Sequence, residues 1–144
     1  MQPFEFYMKT EVVFGAGRTA ETARLVQKHG GSRVLVVYGG GSCERSGLLD
    51  RICRQLTEAG LVFETFGGAR PNPRLSHARE GVHKALRMQA DLILAVGGGS
   101  SIDTAKAIAI GAAAPQTDIW DFWMKKAPVK RTLPVGVVLT LPCA

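Results

Sequence analysis

Fifteen consecutive residues constrain this chain more than any others: Leu92-Ile93-Leu94-Ala95-Val96-Gly97-Gly98-Gly99-Ser100-Ser101-Ile102-Asp103-Thr104-Ala105-Lys106. The five apolar residues at its start read as a strand covered on both faces, since such strands lose their polar alternation. Three glycines let the backbone turn tightly and leave no side chain between it and a ligand. Ser100 is expected to cap the helix that follows, with Asp103 as the acidic half of a capping box. Ala105 to Ala114 continue that helix. Strand, glycine turn and helix N-terminus together offer free N–H groups and a positive dipole end, an arrangement that holds phosphate. A ligand-free βα connection needs only one glycine.

Two other phosphate motifs are excluded. A Walker loop closes on Gly-Lys-Ser/Thr, whereas here Ser100 and Ser101 follow the glycines and Lys106 lies well inside the helix. The dinucleotide fingerprint G-x-G-x-x-G also fails across Gly97 to Ile102. Gly15-Ala16-Gly17-Arg18-Thr19-Ala20 formally matches G-x-G-x-x-A, but the strand after it, Arg33 to Tyr38, ends in glycines where a ribose-binding acid should stand. Gly15 and Gly17 therefore read as turn residues opening a helix.

Around this centre, strands and helices alternate. Extended pieces at Glu5 to Tyr7 and Glu11 to Phe14 form a short N-terminal β-hairpin. Helices are expected at Thr19 to His29, Glu44 to Ala59 and from Asn72 to Gln89, with Asn72 as N-cap and Pro73 in first position. Further strands fall at Arg33 to Tyr38, Leu61 to Phe66 and Val135 to Leu139. Pro115 to Pro134 reads as irregular, with one turn near Asp118 to Phe122. Such alternation predicts an α/β fold with a doubly wound, mostly parallel, Rossmann-like sheet. Ligands of these sheets sit beyond the carboxyl ends of the strands. Residues 39 to 42, 67 to 72, 97 to 100 and Thr140 would all line one such crevice. A two-ended anion such as a dinucleotide fits it better than a single phosphate.

The 144 residues suit one domain burying about two-thirds of its unfolded surface. A net charge of +6 raises the question of nucleic acid. The basic residues are scattered, however, and Lys125, Lys126, Lys130 and Arg131 lie in a Pro-containing loop with no nucleic-acid motif, so attraction for an anionic cofactor explains the charge better. No apolar run approaches the roughly 18 residues of a membrane span, and Met1 to Glu5 lack the character of a signal peptide. Cys43, Cys53 and Cys143 show no C-x-x-C spacing, which points to reduced thiols and a cytoplasmic setting. His77 and His83 lie about 240° apart on one helix and cannot share an ion; with His29 they read as surface residues. Thr140-Leu141-Pro142-Cys143-Ala144 follows directly on a strand expected to be central, so the chain reads as a domain cut short.

Taken together, Phe14-Gly15-Ala16-Gly17, Tyr38-Gly39-Gly40-Gly41-Ser42, Phe66-Gly67-Gly68 with Pro71-Asn72-Pro73, Ala95 to Lys106 and Leu139-Thr140-Leu141-Pro142 resemble the iron-containing (group III) alcohol dehydrogenases. Tyr38 to Ser42 and Val138 to Pro142 are most similar to the NADPH-dependent butanol dehydrogenase and aldehyde reductase branch. The resemblance implies that residues 1–144 are a dinucleotide-binding domain preceding an all-helical domain, whose Asp and three His would hold Fe²⁺ or Zn²⁺. It implies hydride transfer between NADP(H), with NAD(H) second, and an alcohol or aldehyde. It carries the pyrophosphate turn onto Gly98, Gly99 and Ser100, and the adenosine ribose onto Gly39, Gly40 and Ser42. Asn72, Asp103, Thr140 and Leu141 match further cofactor contacts, with helix capping an equal explanation for Asn72 and Asp103. No catalytic residue and no metal ligand is expected here, and a homodimer or larger homo-oligomer is. Two alternatives stay open: a glycerol-dehydrogenase-like or dehydroquinate-synthase-like sibling, and a non-catalytic nucleotide-binding or oligomerisation module.

Overall fold

Four short strands, the inner two too apolar to face water, set the architecture. A computed structural model of the chain describes residues 7–140. Strands β1 (Arg33–Tyr38), β2 (Val62–Phe66), β3 (Leu92–Gly97) and β4 (Val135–Leu139) form one parallel sheet in the order β2-β1-β3-β4. Helices α1 (Thr22–Lys28), α2 (Ser42–Arg45), α3 (Leu48–Glu58), α4 (Leu75–Arg87), α5 (Gly99–Ala113) and α6 (Ile119–Trp123) fill the connections, and a 3-10 turn at Arg18–Glu21 leads into α1.

Strand alternation divides the core into two layers. Val34 and Val36 of β1 pack with Leu92, Leu94 and Val96 of β3 against α1 and α3, through Ala23, Val26, Leu49, Ile52 and Leu56. Leu35, Val37, Ile93 and Ala95 point the other way, onto Ala85, Ala105, Ile108 and Ala109 of α4 and α5. Burial on both faces is why β3 has no polar position. Helices α4 and α5 approach closely at glycines: a Cβ on Gly81 would collide with Ile108 Cδ1, and one on Gly111 would lie 2.5 Å from Val82 Cγ2.

At the opposite edge from the strand carboxyl ends, Asp91 ties the start of β3 to β1. Its Oδ1 accepts from the backbone N–H groups of Ser32 and Arg33, both at 2.9 Å, and Oδ2 accepts from the Ser32 hydroxyl. Partial burial pushes this carboxyl up, but the Ser32 hydroxyl and the two N–H groups outweigh it and hold the pKa below the usual value.

Several expectations change. Tyr7 to Phe14 carry no strand, so the hairpin is not formed over these residues; Glu5 and Phe6 lie outside the described residues. The segment is anchored instead by its charge, Glu11 pairing with Lys28 Nζ at 2.7 Å and His29 Nε2 at 2.8 Å. The helix expected over Glu44 to Ala59 is two helices, because Gly47 adopts a left-handed φ of 67° between them. Asn72 is not an N-cap: it takes a left-handed turn with φ 54°, and α4 begins three residues later behind Arg74. The last strand is not central. Among the described residues β4 is an outer strand, with Val138 buried and Val137 and Leu139 about half exposed.

Candidate functional site

Parallel pairing brings the strand carboxyl ends to one level. Val37 lies opposite Phe66, Tyr38 opposite Val96, and Gly97 opposite Leu139. From β1 the chain crosses to β2 on one side, while β3 and β4 lie on the other. The crevice between the loops after β1 and β3 is therefore a topological switch point, where open α/β sheets place ligands.

Ser101 forms the floor of this crevice. It is 2% exposed, and its Oγ would lie 3.4 Å from a Cβ on Gly39 and 2.6 Å from one on Gly97. Gly97 itself has φ 144°, which L side chains rarely adopt. Below the turn, the Cys43 thiol donates to the Val96 carbonyl at 3.6 Å. The neighbouring loops are tied to the same place. The Ala69 N–H donates to the Tyr38 carbonyl at 3.2 Å, and the Thr140 N–H donates to the Gly97 carbonyl at 3.1 Å.

The start of α5 differs from the expected capping box. Gly98, in extended conformation, is the N-cap, and no side chain caps the helix. Ser100 is inside the first turn, where its carbonyl accepts from Thr104 Oγ1 at 2.8 Å. Asp103 lies too far along the helix to close a box; it is exposed, and neither it nor Lys106 is in an ion pair among the described residues. The N–H groups of Gly99 and Ser100 consequently have no hydrogen-bond partner among the described residues. A Cβ on Gly99 would meet nothing within 4 Å. Open space, unpaired donors and the positive end of a 15-residue helix fit an anion.

The loop after β1 is similarly open. Gly40 has nothing within 4 Å of its Cβ position, and Gly39 is half-buried over Ser101. Ser42 is exposed at the start of α2, behind Gly41. Gly39, Gly40, Ser42, Gly98, Gly99, Ser100 and Thr140 thus share one edge, and Asn72 sits in the loop that leaves β2 at that edge. Leu141 lies outside the described residues. A hollow at the far end of α5, bordered by Ala113, Phe122 and Arg131, is distant from all of them.

Three residues of this neighbourhood escaped the sequence reading. Ser101 is one. Glu44 is the second: its Oε2 lies 3.8 Å from the Gly41 Cβ position, so an acid does approach the glycine loop, from the following turn. The Tyr38 phenol has a raised pKa, first through burial and then through this carboxylate. The third is His77, which is half-buried rather than exposed. Its ring stacks on Phe66 with centroids 4.4 Å apart and borders Gly68, and its buried Nε2 has no partner among the described residues. No local pattern announces a histidine drawn inward by stacking.

The family model for iron-containing alcohol dehydrogenase matches residues 9–144. A probable NADH-dependent butanol dehydrogenase of Bacillus subtilis is 46% identical over 98% of this chain and 36% of its own length. The NADPH-dependent aldehyde reductase YqhD of Escherichia coli is 35% identical over 99% of this chain and 36% of its own. The crystal structure of the NADH-dependent butanol dehydrogenase A of Thermotoga maritima superposes with a TM-score of 0.93 at 37% identity, covering 98% of this chain and 35% of that one. The chain thus spans little more than a third of the length of these relatives, 36% for the curated ones. Over that span fold and sequence agree, and the chain belongs to the iron-containing alcohol dehydrogenase family.

Proposed function

We propose that residues 1–144 form the dinucleotide-binding domain of an oxidoreductase that transfers a hydride between NADP(H), with NAD(H) second, and a small alcohol or aldehyde. The observation that carries this reading is the uncapped start of α5, whose partnerless Gly99 and Ser100 N–H groups face open space at the switch point. These two groups and the helix end hold the pyrophosphate. Gly39 and Gly40 make room for the adenosine ribose, and the Ser42 hydroxyl donates to it. Asn72, Asp103 and Thr140 border the rest of the cofactor; Leu141, outside the described residues, is assigned to it by the family resemblance alone. When bound, the nicotinamide supplies the hydride donor or acceptor.

Family relatives divide in their names between NADH and NADPH. In this chain the preference for NADP(H) rests on a 39–42 loop free of acids, with the Arg45 guanidinium beside it. Metal-dependent chemistry is part of the proposal for the whole enzyme. Among the described residues, though, no three His, Cys, Asp or Glu come together to hold an ion, so no step is assigned to Fe²⁺ or Zn²⁺ here. Among the described residues no helix is long and apolar enough to cross a membrane, and Cys43 and Cys53 are free thiols.

Fluorescence titration with NADPH and NADH tests the reading. Saturable binding of a dinucleotide that is lost in Gly99→Val supports it. Absence of saturable binding for both overturns it.

A further inference from the structure

Two side chains of opposite charge flank Gly41. From the position of a Cβ on this glycine, Arg45 Nη1 lies 2.7 Å away, Arg45 Cζ 3.6 Å and Glu44 Oε2 3.8 Å. The single turn of α2 brings them there, its Arg45 N–H donating to the Gly41 carbonyl at 2.8 Å. Both residues are exposed, and neither is in an ion pair among the described residues. Each is therefore available to a ligand. The Glu44 carboxylate neighbours the phenol of Tyr38, whose ring packs against Gly67, 2.6 Å from that glycine's Cβ position. The acid thus stands between the loops after β1 and β2.

The two charges ask for different ligands. A guanidinium favours a phosphate, which its fork of donors can grip in two places. A carboxylate accepts from a ribose 2′-hydroxyl and repels a 2′-phosphate. We propose that Glu44 is the specificity-determining residue of the ribose end: it offsets Arg45 and sets the ratio of NADP(H) to NAD(H) affinity, so that the chain accepts both dinucleotides. This rests on the cofactor reading above and assigns to that site the residue that discriminates at the ribose.

The test is a charge series at position 44, with dissociation constants for NADPH and NADH measured on the 144-residue chain at low and high salt. Glu44→Gln should raise the NADPH-to-NADH affinity ratio about three- to tenfold, through tighter NADPH and weaker NADH, because exposed charges act weakly and a phosphate carries more than one. Glu44→Lys should raise it further, and Arg45→Ala should lower it. Added salt should compress every difference. A thermal melt at the wild-type temperature in each variant reports an intact fold. Wild-type binding with an unchanged ratio in both Glu44 variants overturns the assignment of Glu44 alone. Binding of neither dinucleotide by the wild type overturns the cofactor site itself.

Discussion

Ser101 lies so close beneath Gly97 that a Cβ on the glycine would stand 2.6 Å from the serine hydroxyl oxygen. The glycine also has φ 144°, so space and backbone exclude a side chain together. Gly97→Ala should therefore destabilise the chain by about 2–4 kcal/mol in urea denaturation. Adding Ser101→Gly removes the clash but not the backbone strain, and should recover about 1 kcal/mol of the loss. Strict additivity of the two substitutions would show that the contact is not the cause.

At Gly99 the opposite holds. Its Cβ position is open, and the neighbouring N–H groups are without partners among the described residues. Gly99→Val should change stability by no more than about 1 kcal/mol yet weaken NADPH and NADH binding alike by about tenfold or more. Ser100→Ala should weaken both less. Calorimetric titration against a thermal melt separates the two effects, and a valine variant that binds normally would remove the pyrophosphate from this turn.

Gly40 offers a gain of function. Nothing lies within 4 Å of its Cβ position, so an added carboxylate is accommodated without repacking. NADPH should bind the wild type more tightly than NADH, and Gly40→Asp should narrow or reverse that gap by roughly tenfold, the scale of one charge-assisted hydrogen bond gained and one repulsion added. Competition between the two dinucleotides measures it directly; an unaltered ratio would place the ribose elsewhere.

Asp91 acts on stability rather than on ligands. Asp91→Ala strips acceptors from the Ser32 and Arg33 N–H groups and should cost about 1–3 kcal/mol at neutral pH. The sign with pH follows from the lowered pKa. A carboxyl depressed on folding contributes fully above the usual carboxylate range and loses that contribution as pH falls through the depressed value. The gap between wild type and variant should thus shrink below about pH 4. A gap independent of pH would mean that the carboxylate charge plays no part.

Assembly is the remaining expectation. Tyr7, Val12 and Phe14 are exposed, and so are Val137 and Leu139 on an outer strand, an arrangement that invites pairing. Sedimentation should report a dimer or larger species; a monomer across the accessible concentration range would count against it.

How much of this was legible in the residues depends on whether a feature is local. Arg33 to Tyr38 is a strand over the residues expected, because an unbroken apolar run flanked by glycine leaves few alternatives. The turn near Asp118 was legible too, since the Asp118 side chain does cap it by accepting from the Trp120 N–H at 2.9 Å. The start of α5 was misread for an instructive reason. A search for caps looks for a side-chain acceptor, and Ser100 supplied one in the sequence. In the fold Gly98 takes the cap position with no side chain, and that is what leaves donors unpaired. Asn72 failed similarly, its tolerance of a left-handed turn outweighing its value as a cap. Ser101, Glu44 and His77 were invisible because their roles depend on neighbours that only the tertiary fold supplies.

Gly81 and Gly111 lie in the contact between α4 and α5, away from the glycine turn, yet they govern where a phosphate would sit. Ile108 and Val82 fill the spaces those glycines leave, so the axis of α5 is seated against α4 along its later turns. At 1.5 Å per residue, about 18 Å of rigid helix separates Gly111 from Gly99. A methyl group added at either glycine would tilt that rod, and the displacement would be felt at its opposite tip. Alanine at 81 or 111 would then look, in any binding assay, like damage to the cofactor turn, although no residue of the turn had been replaced.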